Sequence, residues 1–194
     1  MKKMKKQKKS GPAIFMYIVI GITAVTSAVC LYLYYGGLIR SDVILWTGIV
    51  SFMIMYHLWT RIMMGNVSKL FKINTDNAWF SEKPFEKKLY EILRVKKWKD
   101  KALTYNPESF SFKKHTPEEI VNVMTKSEVD HWINEIISLT SILFSLIWGK
   151  AWIFCLTAAL AMIFDAQFIV IQRYNRPRLL RIIEKKAKID KGVR

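Results

Sequence analysis

Four apolar blocks constrain this chain more than any other feature of its sequence. They cover residues 12–35, 43–65, 133–148 and 151–171. A membrane helix needs about 20 mostly apolar residues, and in lipid only helices and closed barrels satisfy their backbone polar groups. Gly149 and Lys150 alone separate the last two blocks, which predicts a tight turn. We therefore expect an all-α integral membrane protein whose four transmembrane helices form two hairpins.

The distribution of lysine and arginine predicts how these helices are oriented. Six lysines precede the first block, one arginine lies in 36–42, 13 basic residues lie in 66–132, one lysine lies in the second turn, and nine basic residues follow residue 172. Basic residues accumulate on the cytoplasmic side of membrane proteins. We expect a multi-pass protein of the cell membrane with both termini in the cytoplasm. The formal charge of +16 then marks a basic membrane rim, and no nucleic-acid partner is expected.

These features divide the chain into five parts. They are a basic N-terminal tail at 1–11, a first transmembrane hairpin at 12–65, a cytoplasmic insert at 66–131, a second transmembrane hairpin at 132–172 and a basic C-terminal tail at 173–194. The one basic residue of the second span, Arg61, lies near its end and is expected to extend towards the head groups.

The insert is expected to lie on the membrane surface. Phe85, Leu89, Ile92 and Leu93 follow helical spacing and form one apolar stripe, while lysines on the other face meet water or anionic head groups. Three aromatic residues are expected at the membrane interface, namely Trp79, Phe80 and Trp98. A second helix is predicted to begin at T-P-E-E, residues 116–119, which has the form of a capping box with proline in the first turn.

The sequence E-V-D-H-W at 128–132 is the first candidate for chemistry. Glu128, His131 and Glu135 fall at i, i+3 and i+7 and so share one helix face. A histidine beside carboxylates is suited to act as a general base. The alternative is a polar helix start with Trp132 as an interfacial anchor. Glu128 and His131 also have a metal-ligand spacing, but a second such motif is lacking, and no metal is expected.

Asp165, in the fourth span, is the second candidate. It lies about 10 Å from the cytoplasmic end of that span, counting about 1.5 Å per residue. A carboxylate at that depth is costly unless it is paired or hydrated. Asp165 is therefore expected to face one polar cavity with Glu135 of the neighbouring helix. The alternative is a protonated Asp165 that hydrogen-bonds between helices.

The sequence QRYNRPR at 172–178 is the third candidate. Its three arginines carry forked donors that suit phosphates, and Pro177 is expected to end or kink the helix. Anchoring by the positive-inside rule explains the charge but leaves the tyrosine, asparagine and proline without a role. Both interpretations, membrane anchoring and ligand binding, stay open on composition alone.

Four motifs together resemble a known family. K-P-F-E-K at 83–87, V-K-K-W-K-D at 95–100, E-x-x-H-W at 128–132 and Q-R-Y-N-R-P-R-L at 172–179 are similar to the glycosyl-diaponeurosporenoate acyltransferases, small membrane acyltransferases of carotenoid biosynthesis. The resemblance covers about residues 79–182. It implies that a fatty acyl chain is esterified to a sugar hydroxyl of a glycolipid-like acceptor, such as a glycosyl-carotenoid, at the cytoplasmic membrane face.

Acyl transfer of this kind gives the candidate residues roles, because a hydroxyl that attacks an activated acyl group needs a base near its proton and hydrogen-bond donors for the oxyanion. His131 is expected to be the general base, Glu128 its orienting partner, and Asp165 a residue of the same cavity. Arg173 and Arg176 are expected to bind the phosphates of an acyl donor such as acyl-CoA, which is a co-substrate and not a bound cofactor. The complete substrate-binding set expected is Lys97, Trp98, Trp132, Gln172, Arg173, Asn175, Arg176 and Arg178.

Two other function classes fit the same sequence. A non-enzymatic membrane scaffold would use the basic insert to recruit partners, and His131 would then be dispensable. A transporter component fits less well, because the spans hold few polar groups. For the enzyme, the expected partners are membrane lipids, the lipid-like acceptor and the acyl donor. The oligomeric state is left open.

Overall fold

The computed structural model describes residues 11–67, 73–75, 77–102, 104 and 106–192. The N-terminal tail predicted from the sequence lies outside this part of the chain except for residue 11. The secondary structure of the described residues is helical, without a strand. The all-α prediction is confirmed.

Seven α-helices follow one another along the described residues. They are α1 (Gly11–Tyr35), α2 (Asp42–Val67), α3 (Glu86–Ile92), α4 (Val95–Trp98), α5 (Pro117–Thr140), α6 (Ser145–Trp148) and α7 (Ala151–Gly192). Short 3-10 helices occur at Ala78–Phe80, Lys99–Lys101, Pro107–Phe110 and Ser141–Phe144. Four segments are long and apolar enough to cross a membrane, namely Gly11–Tyr35, Asp42–Val67, Pro117–Trp148 and Ala151–Asp190. These indicate a multi-pass membrane protein.

The membrane helices pack as two hairpins that meet where α2 lies against both α5 and α7. Helix α1 lies so close to α2 at Gly48 that a Cβ atom there would be 3.0 Å from the Leu31 side chain. Helix α5 packs along α7, and the predicted tight turn between the last two spans is present at Gly149 and Lys150, both with positive φ. A buried cluster joins the hairpins and consists of Leu45, Ile49 and Met53 of α2 with Ile153 and Phe154 of α7.

Helix α5 begins in the insert and continues towards the third span. The Thr116 hydroxyl accepts a hydrogen bond from the Glu119 backbone N–H at 3.2 Å, and the Glu119 carboxylate accepts one from the Thr116 backbone N–H at 3.0 Å. These two bonds satisfy donors that a helix start otherwise leaves unpaired. The predicted capping box is confirmed, and the third span is longer than its apolar block indicates.

Helix α7 does not end at Pro177, which lies within it. A proline inside a helix removes one backbone hydrogen bond and costs about 3 kcal/mol. Packing on both sides of the proline offsets that cost. Tyr174 is buried against Tyr90 and Val95, while Leu179 is buried in a cluster with residues at the start of α5. Of the two predicted outcomes, the helix end at Pro177 is wrong, because these contacts hold the helix together through it.

The insert contacts α7 through one face of α3, and the predicted apolar stripe lies on the other face. Glu86 and Tyr90 are buried against α7, whereas Phe85 and Ile92 are each 67% exposed. The stripe therefore faces away from the rest of the protein. Phe80, expected at the membrane interface, is instead buried at 9% exposure, because the Arg176 guanidinium lies over its ring, 5.1 Å from the ring centroid.

Candidate active site

His131 and Asp165 form a hydrogen-bonded pair between α5 and α7. The His131 Nδ1 atom lies 2.8 Å from Asp165 Oδ1. The imidazole stacks on the Phe168 ring, with a centroid separation of 4.8 Å and an interplanar angle of 9°. Asp165 is fully buried, while the His131 side chain keeps 19% of its surface exposed. The other ring nitrogen, Nε2, makes no hydrogen bond to a residue that the structure describes. The ring is thus fixed on one side and free on the other.

Arg61 is a third member of this site, and the sequence did not assign it there. Its guanidinium forms an ion pair with Asp165 through Nη2, and Nε lies 3.3 Å from Asp165 Oδ1. Arg61 also donates to the backbone oxygens of His57 at 2.7 Å and Ala161 at 3.0 Å. With 9% of its side chain exposed, Arg61 does not extend to the head groups as expected. The reason is that a buried carboxylate needs a partner inside the membrane.

Glu128 does not orient His131. Both of its oxygens are bound by arginines of α7, Oε1 by Arg173 Nη1 at 2.7 Å and Oε2 by Arg176 Nη1 at 2.5 Å. Glu128 is fully buried, and Arg176 is 1% exposed. Two guanidinium groups, each a forked donor, bind this carboxylate in place of the imidazole. The orienting partner of His131 is therefore Asp165, and the expectation for Glu128 is corrected.

The arginines after the fourth span clamp the insert onto the second hairpin. Arg173 Nε lies 2.7 Å from Glu86 Oε1 of α3, and its terminal nitrogens donate to the backbone oxygens of Trp79 and Ser81. Arg176 Nη2 donates to the Phe80 backbone oxygen at 2.6 Å. These contacts use the fork of each guanidinium on the protein itself. Within the dense polar cluster at 172–178, Arg173 and Arg176 thus form an internal clamp, and these two arginines, predicted to bind phosphate, instead hold the insert.

Three other residues predicted to bind substrate, Gln172, Asn175 and Trp132, take no part in the clamp. Gln172 is buried, and its amide lies 3.4 Å from the Ser127 hydroxyl of α5. Asn175 is half-buried and makes no side-chain hydrogen bond within the described part of the chain. Trp132 is 39% exposed and meets Trp79 edge to face, with ring centroids 6.0 Å apart. Trp132 directly follows His131 in the sequence.

Lys97 and Arg178 lie elsewhere, in an open pocket between the insert and α7. Trp98 packs behind it, against the cluster of Tyr90, Val95 and Tyr174. Burial raises the pKa of the Tyr90 hydroxyl well above its usual range, and the 2.9 Å hydrogen bond to Glu86 raises it further. Tyr90 therefore stays a neutral donor across the physiological range. The predicted substrate residues therefore do not form one site. Arg173 and Arg176 form the clamp, and Lys97 and Arg178 line the basic pocket.

The chemistry available at His131 follows from this geometry. A ring held by a carboxylate on one nitrogen and free on the other is arranged for proton transfer. Arg61 balances the Asp165 charge, so the buried pair is close to neutral before any proton is taken up. Among the described residues, no group of three or more histidine, cysteine, aspartate or glutamate side chains is placed to hold a metal ion.

Arg61 and Glu86 are the members of these networks that the sequence missed. One signal was present for Arg61. It is the only basic residue of its apolar block, as Asp165 is the only acidic residue of its own, and charges at membrane depth usually pair. Glu86 lies inside the K-P-F-E-K motif, but its pairing with Arg173 spans 87 positions and no local spacing indicates it.

Comparison with known proteins identifies the family. The family model described as glycosyl-4,4'-diaponeurosporenoate acyltransferase matches residues 76–185. Neither a curated protein nor a solved structure matches the chain. The matched segment contains α3, α4, α5, α6 and most of α7 and covers more than half of the sequence. The chain therefore belongs to the glycosyl-4,4'-diaponeurosporenoate acyltransferase family and is an acyltransferase of carotenoid biosynthesis.

Proposed function

We propose that this enzyme transfers a fatty acyl chain from acyl-CoA to a sugar hydroxyl of a glycosyl-carotenoid or similar glycolipid, with His131 as general base. The family supports acyl transfer to a glycosyl diaponeurosporenoate. The observation that carries the assignment of the base is the 2.8 Å contact between His131 Nδ1 and the buried Asp165, with the ring still 19% exposed. A general base needs this combination of fixed orientation and access to substrate.

The proposed reaction has two steps, and His131 transfers a proton in each. The sugar hydroxyl gives its proton to His131 Nε2 while its oxygen attacks the thioester carbonyl carbon. The tetrahedral intermediate then expels the thiolate of coenzyme A, which takes the proton back from the imidazolium. Asp165 keeps the ring in the required tautomer and offsets the positive charge that it gains. Arg61 holds Asp165 in place through two nitrogens.

Ester formation by the purified enzyme tests this function directly. The full chain, reconstituted in lipid vesicles with isotope-labelled acyl-CoA and a glycosyl-carotenoid, should yield the labelled sugar ester, detected by mass spectrometry. Ester formation with another activated donor but not with acyl-CoA would contradict the choice of donor. No ester with any activated donor would contradict acyl transfer to this acceptor and favour the scaffold interpretation.

We also place the site on the cytoplasmic side, where the lysine and arginine counts put both termini and the insert. Thiol labelling of intact cells tests this in a variant without Cys30 and Cys155. A membrane-impermeant reagent should label Leu38→Cys, in the turn between α1 and α2. It should not label Ser109→Cys, in the insert, until the cells are opened. Labelling of Ser109→Cys in intact cells would reverse the orientation.

The same labelling tests contact between the insert and lipid. The apolar stripe of α3 is exposed, with Phe85 and Ile92 at 67% and Leu93 at 42%, and lysines flank it on the same helix. We assign this stripe to the membrane surface. In opened vesicles, Ile92→Cys should therefore react more slowly than Ser109→Cys. Equal labelling rates at the two positions would show that the stripe is exposed to water and would contradict its contact with lipid.

A further inference from the structure

A basic pocket apart from the His131 site has no role in the mechanism above. It opens between α3, α4 and the C-terminal half of α7 and has a volume of about 450 Å³. Six of its lining residues are cationic, namely Lys87, Arg94, Lys96, Lys97, Arg178 and Arg181. Several cations around one concave surface attract a ligand that carries more than one negative charge.

Most of this positive charge is not neutralised by the protein. The pocket has two carboxylates, Glu82 and Glu91. Glu82 pairs with Arg181 at 2.8 Å, and the Arg178 guanidinium lies 3.3 Å from the centroid of the Tyr174 ring. The other four cations form no ion pair with a residue that the structure describes. Six cations against two carboxylates leave four uncompensated positive charges.

The floor of the pocket is aromatic and well packed. The Tyr90 and Tyr174 rings meet edge to face, with centroids 5.2 Å apart, over the fully buried Val95. Tyr90 is also hydrogen-bonded to Glu86, which the Arg173 clamp holds to α7. The cations therefore surround a floor that packing and hydrogen bonds within the protein hold together.

The corner of the pocket carries backbone strain. Arg94 has φ +49° and ψ +41°, a left-handed conformation that glycine adopts easily and residues with a Cβ atom do not. This corner ends α3 and begins α4, and it sets the direction of Lys96 and Lys97. Left-handed residues end many helices, and strained ones are also found at ligand sites.

We propose that this pocket binds the phosphate groups of the acyl donor, an inference that rests on the proposed function. Helix α7 carries both Asp165 and Tyr174, which are about 14 Å apart along the axis at about 1.5 Å per residue. Acyl-CoA has its phosphates at one end of a long pantetheine arm and its thioester at the other. A phospholipid offers the same phosphate chemistry, but its acyl esters lie directly beside the head group. The distance along α7 between the pocket and the His131 site therefore favours acyl-CoA over a phospholipid.

Binding of coenzyme A to the full chain in zwitterionic nanodiscs tests the proposal. The variant Arg94→Gly/Lys96→Ala/Lys97→Ala removes three pocket charges and relieves the strain at residue 94. Its affinity for coenzyme A in calorimetry should fall about tenfold or more. The control Lys113→Ala/Lys185→Ala/Lys186→Ala removes three exposed charges elsewhere and should bind as the wild type does. Removal of the 3'-phosphate of coenzyme A should also weaken binding.

Two results would overturn the proposal. One is equal affinity of the pocket variant and the wild type for coenzyme A. The other is wild-type protein that does not bind coenzyme A but binds added phosphatidylglycerol, with that binding lost in the pocket variant. The pocket would then be a lipid head-group site.

Failure of the proposed function can be distinguished from failure of the pocket proposal. Wild type that binds coenzyme A in the pocket but forms no ester contradicts the function alone. Ester formation with an unchanged KM for acyl-CoA in the pocket variant contradicts the pocket alone.

Discussion

Replacing His131 by alanine should lower the rate of acyl transfer by about 10²–10⁴-fold, the usual contribution of general-base catalysis. The variant loses the group that accepts the hydroxyl proton. It should still insert and fold, because Asp165 keeps its ion pair with Arg61 and is not left as an isolated buried charge. The measurement is kcat with acyl-CoA and a glycosylated acceptor, on protein purified in lipid, beside its thermal stability.

Two further variants separate basicity from position. His131→Gln keeps a hydrogen-bonding side chain beside Asp165 but cannot take up the proton, so it should be nearly as inactive as the alanine variant. His115→Ala is the control, since that ring is partly exposed and lies 3.3 Å from Glu119 at the start of α5, away from Asp165. It should leave kcat unchanged. Transfer at the wild-type rate by His131→Ala would make His131 structural and move the base to Glu135 or Asp165.

The helices were predictable because their signals are local. An apolar block of the required length, a capping box at Thr116 and a glycine at the last turn each act within a few residues. The exception is α7, where Pro177 is a local signal for a helix end. It was overridden by Tyr174 and Leu179, whose partners lie in α3, α4 and the first turns of α5. Tertiary packing of that kind leaves no trace in the spacing of one helix.

The candidate site was predictable in its composition but not in its pairing. His131, Glu128 and Asp165 were selected by residue type and depth, and all three make buried ion pairs or hydrogen bonds. Helical spacing relates Glu128 to His131, yet it cannot decide between that partner and charges on another helix. The choice depends on two arginines of α7 that reach Glu128 across the hairpin. A search for opposite charges at similar depth in different spans would have found Arg61 and Asp165.

Replacing Glu128 by glutamine should destabilise the protein by about 3–5 kcal/mol, the usual cost of removing one partner of a buried ion pair. Glu128 is fully buried and accepts from both Arg173 and Arg176. In the variant Arg173 still has Glu86, but Arg176, at 1% exposure, loses its carboxylate partner and is left with the Phe80 backbone oxygen and the single uncharged amide oxygen of the glutamine, for which Arg173 also competes. The measurement is the free energy of unfolding by SDS titration in mixed micelles.

Matched variants show whether that loss comes from an unpaired charge and whether Glu128 takes part in the chemistry. Glu118→Gln, on an exposed turn of the same helix, should have wild-type stability. Glu128→Leu/Arg176→Leu should recover part of the lost stability, because it removes a buried charge from each side of the pair. Near its folding temperature, Glu128→Gln should lose activity together with folded protein, while the kcat of the folded fraction stays close to that of the wild type. Wild-type stability with a reduced kcat would contradict the clamp and return Glu128 to the side of His131.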